Sequence, residues 1–106
     1  MGKKNSLKSP IGWRLRQART AKGISQKTLG ILAGIDEFSA SARVNQYERD
    51  KHVPDYSTAK RLAQALGISV TYLYAEDDEV AELIRLFDRG GKKARQACLE
   101  LLSNAD

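Results

Sequence analysis

The chain has 106 residues, a formal net charge of +5 and a single cysteine, and this length predicts one domain with one core. It has no run of roughly 18 apolar residues, which argues against a membrane span, and its polar, basic first ten residues lack the apolar stretch of a signal peptide. Because Cys98 has no partner for an internal disulfide, the composition is consistent with a cytoplasmic location.

Charge is distributed unevenly along the chain. Residues 1–61 contain 13 Lys and Arg against 5 Asp and Glu, whereas residues 62–106 contain 5 against 8. The first part therefore carries a net charge of +8 and the second a net charge of −3. A basic segment of this kind is typical of proteins that bind nucleic acid, although a charged, solvated surface would give the same counts.

The first predicted elements are a flexible basic arm over residues 1–9 and a helix that follows it. Ser9 and Pro10 form a helix start, with serine as the N-cap and proline at the first helical position. Gly23 ends this helix as its C-cap.

A second and a third helix are predicted next, joined by a polar loop. Ser25 caps the second helix and Gly34 stops it. Gly30 lies in its middle, where glycine costs roughly 1 kcal/mol relative to alanine, so the close approach of another helix would explain it. The third helix is predicted to begin at Ser39 or Ser41.

The rest of the chain also shows helical periodicity and no strand alternation, so the predicted fold class is all-α. Helix three ends near Glu48, because residues 50–52 turn the chain and Pro54 forbids continuation. The four helices that follow are predicted to open at Asp55 or Ser57, at Ser69, with the acidic first turn of residues 76–79, and at Lys92 after Gly90-Gly91.

Polar side chains around helices two and three meet the needs of a DNA-reading helix-turn-helix. One helix crosses the DNA backbone and can hold a phosphate at its N-terminus, while the next presents donors to base edges. Gln26 stands at the start of helix two, and Ser41, Arg43 and Gln46 stand on helix three. Arginine bonds guanine and glutamine bonds adenine, each through two hydrogen bonds.

Three segments of the chain match one known sequence pattern. The first matches through Leu15, Arg19, Lys22, Gly23, Ser25, Gln26 and Leu29. The second, at the end of helix three, matches through Glu48 and Pro54, and the third through residues 62–69, LAQALGIS. Together they resemble the Cro/repressor-type (XRE) helix-turn-helix family, over about Ile11 to Tyr74. The resemblance implies a five-helix, lambda-repressor-like DNA-binding domain over residues 10–75, with one or two additional C-terminal helices.

The resemblance also implies roles for individual residues. Arg19 and Glu48 would form a largely buried ion pair that joins helices one and three. The base-contacting positions would be Ser41, Ala42, Arg43 and Gln46. The phosphate contacts would be Gln26, Lys27, Arg49, Lys51 and His52.

The sequence departs from the family pattern at two places. The segment Asp36–Ala40, between helices two and three, is about four residues longer than the usual family turn, and we interpret it as a longer loop. Asp50 stands where the family favours glycine; aspartate tolerates a left-handed backbone better than most residues, at some energetic cost.

The C-terminal segment, residues 76–106, is predicted to be a helical extension that forms a homodimer. Two half-sites one helical turn apart need two recognition helices, which favours pairing of two chains. Five apolar residues are the predicted dimer interface: Val80, Leu83, Ile84, Phe87 and Leu101. An alternative is that this segment binds a different protein, as in an antitoxin or a coactivator-like adaptor.

The sequence therefore predicts a cytoplasmic, sequence-specific DNA-binding regulator, acting as a repressor, whose partners are double-stranded DNA and a second copy of the chain. We identify no paired carboxylates, Ser/His/Asp set or phosphate loop, so we do not predict an enzyme. His52 is the one histidine, and no cysteine lies near it, so no metal or cofactor is predicted.

Overall fold

The computed structural model describes residues 9–105, and within this range the chain folds into seven helices without a strand. The helices are α1 (Ile11–Lys22), α2 (Gln26–Leu32), α3 (Glu37–Glu48), α4 (Tyr56–Leu66), α5 (Val70–Leu73), α6 (Asp78–Arg89) and α7 (Lys92–Ser103). The all-α prediction is confirmed. Apart from Ser9, the predicted basic arm lies outside the described residues. None of the described helices is long and apolar enough to cross a bilayer.

Most helix ends follow local capping chemistry. Gly23 and Gly67 end α1 and α4 in the left-handed conformation, with φ of 77° and 73°. Ser25 accepts a hydrogen bond from the backbone N–H of Thr28 at 3.0 Å, which confirms it as the N-cap of α2. Asp55, one of the two predicted caps, is the N-cap of α4.

The start of α1 differs from the prediction by one residue. Pro10 occupies the N-cap position and the helix begins at Ile11. The Ser9 hydroxyl still accepts from a backbone N–H, that of Ile11, at 3.2 Å. The serine therefore satisfies one of the free N–H groups of the first turn although it stands one residue before the cap.

The start of α3 corrects the sequence prediction, because residues 37–40 are helical and do not form a longer loop. Asp36, not Ser39 or Ser41, is the N-cap. Its carboxylate accepts from the backbone N–H of Phe38 at 3.1 Å and from the Ser39 hydroxyl at 3.3 Å. A negative charge also interacts favourably with the positive end of a helix. The four additional residues thus lengthen α3 by about one turn.

Gly30 explains how the longer α3 fits against α2. A Cβ at this position would lie 2.6 Å from the Cβ of Ala40 and 2.9 Å from its Cα, closer than carbon atoms can approach. The two helices therefore pack backbone to backbone at Gly30 and Ala40. This is the close approach that the mid-helix glycine suggested, and it holds the first turns of α3 on α2.

The hydrophobic core lies behind α3 and joins the first six helices. Val44 and Tyr47 supply the inward face of α3, and Ala40 extends that face by one turn. The fully buried apolar side chains of the neighbouring helices are Ile11, Leu15, Leu29, Leu62 and Leu73. Burial of such side chains stabilises the fold by about 1.5–3 kcal/mol each and fixes α3 as a rigid element.

Arg14 is a buried charge that joins α1 to the connection between α5 and α6. Its side chain is 1% exposed. Its Nε donates to the carbonyl oxygen of Ala75 at 2.7 Å, and another guanidinium nitrogen lies 3.0 Å from the carboxylate of Asp78. The guanidinium carbon lies 5.8 Å from the ring centre of Tyr72. This arginine ties the C-terminal part of the chain to the first helix.

The last two helices pack on the rest of the chain much less than the first five. Ala81 is the buried residue of α6, and Ile84 packs beside the core. No residue of α7 is buried within the described chain. Arg95 nevertheless links the two helices, because it donates to the carbonyl oxygens of Phe87 and Asp88 at 2.7 Å each.

Candidate nucleic-acid interface

A largely buried ion pair joins α1 to the end of α3 at the candidate interface. Arg19 of α1 donates to both carboxylate oxygens of Glu48 at the end of α3, at 2.6 Å and 3.0 Å. The two side chains are 14% and 3% exposed. The hydrogen bonds with Glu48 raise the pKa of Arg19 against the opposing effect of burial. Paired, bidentate geometry of this kind fixes the orientation of both side chains.

Gln26, the first residue of α2, is positioned by the same carboxylate. Its amide nitrogen donates to Glu48 at 3.0 Å and lies 3.2 Å from the side-chain oxygen of Asn45. The start of α2 and the outer side of α3 are therefore held together by direct side-chain contacts. Gln26 is one of the predicted phosphate contacts, and these two acceptors fix its side chain beside α3.

Two polar grooves flank α3. The first has a volume of about 710 Å³ and opens between the start of α2 and α3. It is lined by Arg16, Arg19, Ser25, Gln26, Lys27, Ser41, Asn45, Glu48 and Arg49. The second, of about 480 Å³, lies on the α4 side of α3 and is lined by Arg43, Gln46, Tyr47, His52, Val53, Pro54, Asp55 and Thr58. The predicted base-contacting residues thus lie on both sides of one helix.

The outermost face of α3 is the row opposite its buried stripe. Ala40, Val44 and Tyr47 are buried. With 3.6 residues per turn, the positions that point the other way are Phe38, Ala42, Asn45 and Arg49. Phe38, Ala42 and Arg49 are exposed and Asn45 is half-buried. Ser41 and Gln46 flank this row, and Arg43 lies beyond Gln46, toward α4.

The turn after α3 brings the other predicted phosphate contacts beside the helix. Asp50 has φ of 65°, so the aspartate that replaces the family's glycine takes up the left-handed conformation. The backbone N–H groups of Lys51 and His52 donate to the carbonyl oxygen of Gln46 at 2.9 Å and 3.3 Å. Both side chains are exposed, as are those of Lys27 and Arg49.

The predicted site omitted several residues of this surface, among them Asn45, Phe38 and Arg16. Asn45 follows from the helical pattern, since it lies opposite Val44 and Tyr47 on the wheel. Phe38 was assigned to the loop, so its place on α3 was not recognised. Arg16 belongs to α1 and reaches the first groove only through the packing of α1 on α3, for which the sequence carries no local signal.

The fold and this polar, largely basic surface define a helix-turn-helix DNA-binding protein. The family model described as helix-turn-helix matches residues 15–73, more than half of the chain. The chain belongs to this XRE-type family of transcriptional regulators, which confirms the resemblance. The described residues contain no cluster of three or more His, Cys, Asp or Glu that could bind a metal.

Two individual proteins show the relationship. The SPbeta prophage-derived HTH-type transcriptional regulator YonR of Bacillus subtilis is 35% identical over 63 residues. That alignment covers 59% of this chain and 55% of YonR, so the chain spans about half the length of this relative. The crystal structure of the transcriptional regulator BswR is 44% identical, with a TM-score of 0.84 over 89% of this chain and 93% of that chain.

Proposed function

We propose that the chain is a sequence-specific repressor that binds operator DNA as a homodimer, with α3 of each protomer in the major groove. The observation that carries the proposal is the rigid junction of Gln26, Asn45 and Glu48. This junction holds the outward row of α3 beside the start of α2. A recognition helix must be fixed in this way to present base-reading side chains in one orientation.

Cationic side chains surround the proposed reading surface. Arg16, Lys27 and Arg49 line the groove on the α2 side, and Lys51 follows α3. Lys27 lies 3.8 Å from Glu37, but both side chains are more than half exposed, so this pair is weak and leaves the lysine available to a phosphate. We therefore assign backbone contacts to this rim and base contacts to Ser41, Ala42, Arg43, Asn45 and Gln46.

Base contacts and phosphate contacts should respond differently to truncation. Gln46→Ala and Arg43→Ala should each lose about 1–3 kcal/mol of discrimination at one base position, because each removes a bidentate donor set. Lys51→Ala should weaken binding to every sequence alike and reduce the salt slope by roughly 0.9. Selection of bound duplexes from a random pool, followed by titration at several salt concentrations, measures both quantities.

Lys92→Ala is the control for this experiment, since it removes one exposed cation from α7. It should leave both the selected sequence and the salt slope unchanged. If Arg43→Ala and Gln46→Ala bind the selected site as well as the parent chain does while remaining folded, the assignment of α3 as the reading helix is wrong.

Apolar surface on α6 and α7 supports the homodimer. Val80 and Leu83 of the predicted interface are 47% and 44% exposed, and Leu101 is 73% exposed. Ile84 and Phe87 are half-buried, so they belong partly to the chain's own packing. The predicted apolar stripe of α6 therefore lies beside Ala81, the buried residue of this helix. Its exposed part is available to pack against a second copy of the chain. Leu99 and Leu102, at 56% and 55% exposure, enlarge this surface.

A charge introduced into the proposed dimer interface should dissociate the dimer. Leu101→Glu should raise the dimer dissociation constant by at least roughly 100-fold, because burial of an unpaired carboxylate costs several kcal/mol. Sedimentation equilibrium of the full chain without DNA measures this. Leu32→Glu is the matched control, since Leu32 is 58% exposed on α2, outside the interface, and this variant should remain a dimer.

A parent chain that is monomeric at tens of micromolar would contradict the dimer. It would favour the alternative that the C-terminal helices bind a different protein. Repression itself is tested by transcription from a promoter that contains the selected site. The resemblance to Cro/repressor-type proteins favours repression over activation, and the single cysteine is consistent with work in the reducing cytoplasm.

A further inference from the structure

Phe38 is an aromatic side chain with almost no contact to its own chain. It is 95% exposed, the highest value among the large apolar residues of the described chain. It lies in the first turn of α3, in the segment that lengthens this helix relative to the usual family turn. An isolated exposed apolar residue is common, so its position must decide whether it has a role.

The turn that carries Phe38 is rigidly held. Its backbone N–H donates to the Asp36 carboxylate at 3.1 Å. Two residues further on, Ala40 packs against Gly30 with no room for even one additional carbon atom. Phe38 therefore projects from a fixed backbone and not from a flexible loop, so α3 sets the direction of its Cα–Cβ bond.

Phe38 is the first member of the outward row that continues through Ala42, Asn45 and Arg49. It precedes Ala42 by one turn, or about 6 Å along the helix axis, which corresponds to between one and two base-pair steps of 3.4 Å. The N-terminal part of a recognition helix is the part that contacts base edges. A longer α3 therefore carries Phe38 to base pairs beyond those that Ala42 reaches.

We propose that Phe38 is a specificity-determining residue that contacts the C5-methyl group of a thymine in the major groove. This rests on the proposed function of α3. A phenyl ring has no hydrogen-bond donor or acceptor for the other base edges, and thymine is the base that presents a methyl group there. The adjacent carboxylates of Asp36 and Glu37 make this turn less favourable for a phosphate than the cationic rim that contains Arg16 and Arg49.

The test removes the methyl group from the DNA and the ring from the protein. The probe is the duplex that the parent chain selects from a random pool, with each thymine replaced in turn by deoxyuridine. We expect one replacement per half-site to weaken binding of the parent chain roughly fourfold, the effect of one buried methyl group. In Phe38→Ala the same replacement should change binding less than twofold, and a repeated selection should lose the preference for thymine there.

Phe38→Leu and Tyr74→Ala are the matched controls. Leucine keeps an apolar contact and should retain part of the thymine preference. Tyr74 is an aromatic residue outside α3, 43% exposed, and its replacement should retain all of it. Equal responses of the parent chain and Phe38→Ala to every deoxyuridine would overturn the proposal and leave α3 as the reading helix. A parent chain that selects no common sequence would instead refute the proposed function itself.

Discussion

Replacement of Arg14 with alanine is expected to lower the free energy of unfolding by about 3–5 kcal/mol, because it leaves a buried carbonyl oxygen without its donor and opens a cavity in the core. The Arg14 side chain is 1% exposed, and its guanidinium contacts groups that lie far away in sequence. Without it, the carbonyl oxygen of Ala75 loses its 2.7 Å donor and Asp78 loses its 3.0 Å partner. A cavity also remains between Trp13 and Tyr72, whose ring centres both lie 5.8 Å from the guanidinium carbon.

Urea unfolding, followed by far-UV circular dichroism, measures this loss. Arg14→Lys should recover less than half of it, because one ammonium group cannot reproduce a planar fork of donors. Arg16→Ala is the control on the same helix, since Arg16 is exposed and its loss should stay within about 0.5 kcal/mol. If Arg14→Ala costs as little as Arg16→Ala, the arginine is not the connection between α1 and the C-terminal helices.

Arg14 also shows what the sequence could not reveal. Helix one carries four basic residues, and no local pattern in the sequence distinguishes the buried one. Its main partner, Ala75, is 61 residues away and offers a backbone oxygen that any residue would provide. By contrast, Gly23 and Ser25 were placed correctly, since capping depends on a residue and its immediate neighbours.

The start of α3 was mispredicted for a different physical reason. Residues 39–41 contain two serines, both good N-caps, and the family turn made a longer loop the simplest account of four additional residues. A helix, however, accommodates four residues with little change of face, because they complete one turn and add only about 40°. Ala40 therefore continues the stripe of Val44 and Tyr47, and Gly30 on α2 provides the space that Ala40 needs.

Loss of Glu48 is expected to have a comparably large effect, with consequences for both stability and DNA binding. Glu48→Leu should cost about 3–5 kcal/mol, because it leaves the guanidinium of Arg19, only 14% exposed, without its carboxylate. The double replacement Arg19→Met with Glu48→Leu should return to within about 2 kcal/mol of the parent chain, since apolar side chains of similar volume can replace a buried pair. If the double variant loses as much stability as the two single variants Arg19→Met and Glu48→Leu together, the two residues do not act as a pair.

DNA binding should not recover together with stability in the double variant. Gln26 donates to Glu48 at 3.0 Å, and a leucine there offers it no acceptor, so of its two contacts with α3 Gln26 keeps the longer one, to Asn45 at 3.2 Å. We therefore expect the double variant to fold but to bind the selected duplex at least roughly tenfold more weakly, from the loss of one positioned charge-assisted contact. Gln26→Ala in the parent chain is the matched control, and it should weaken binding by a similar factor with little loss of stability. Full recovery of binding would mean that the ion pair stabilises the fold without positioning Gln26 for the phosphate.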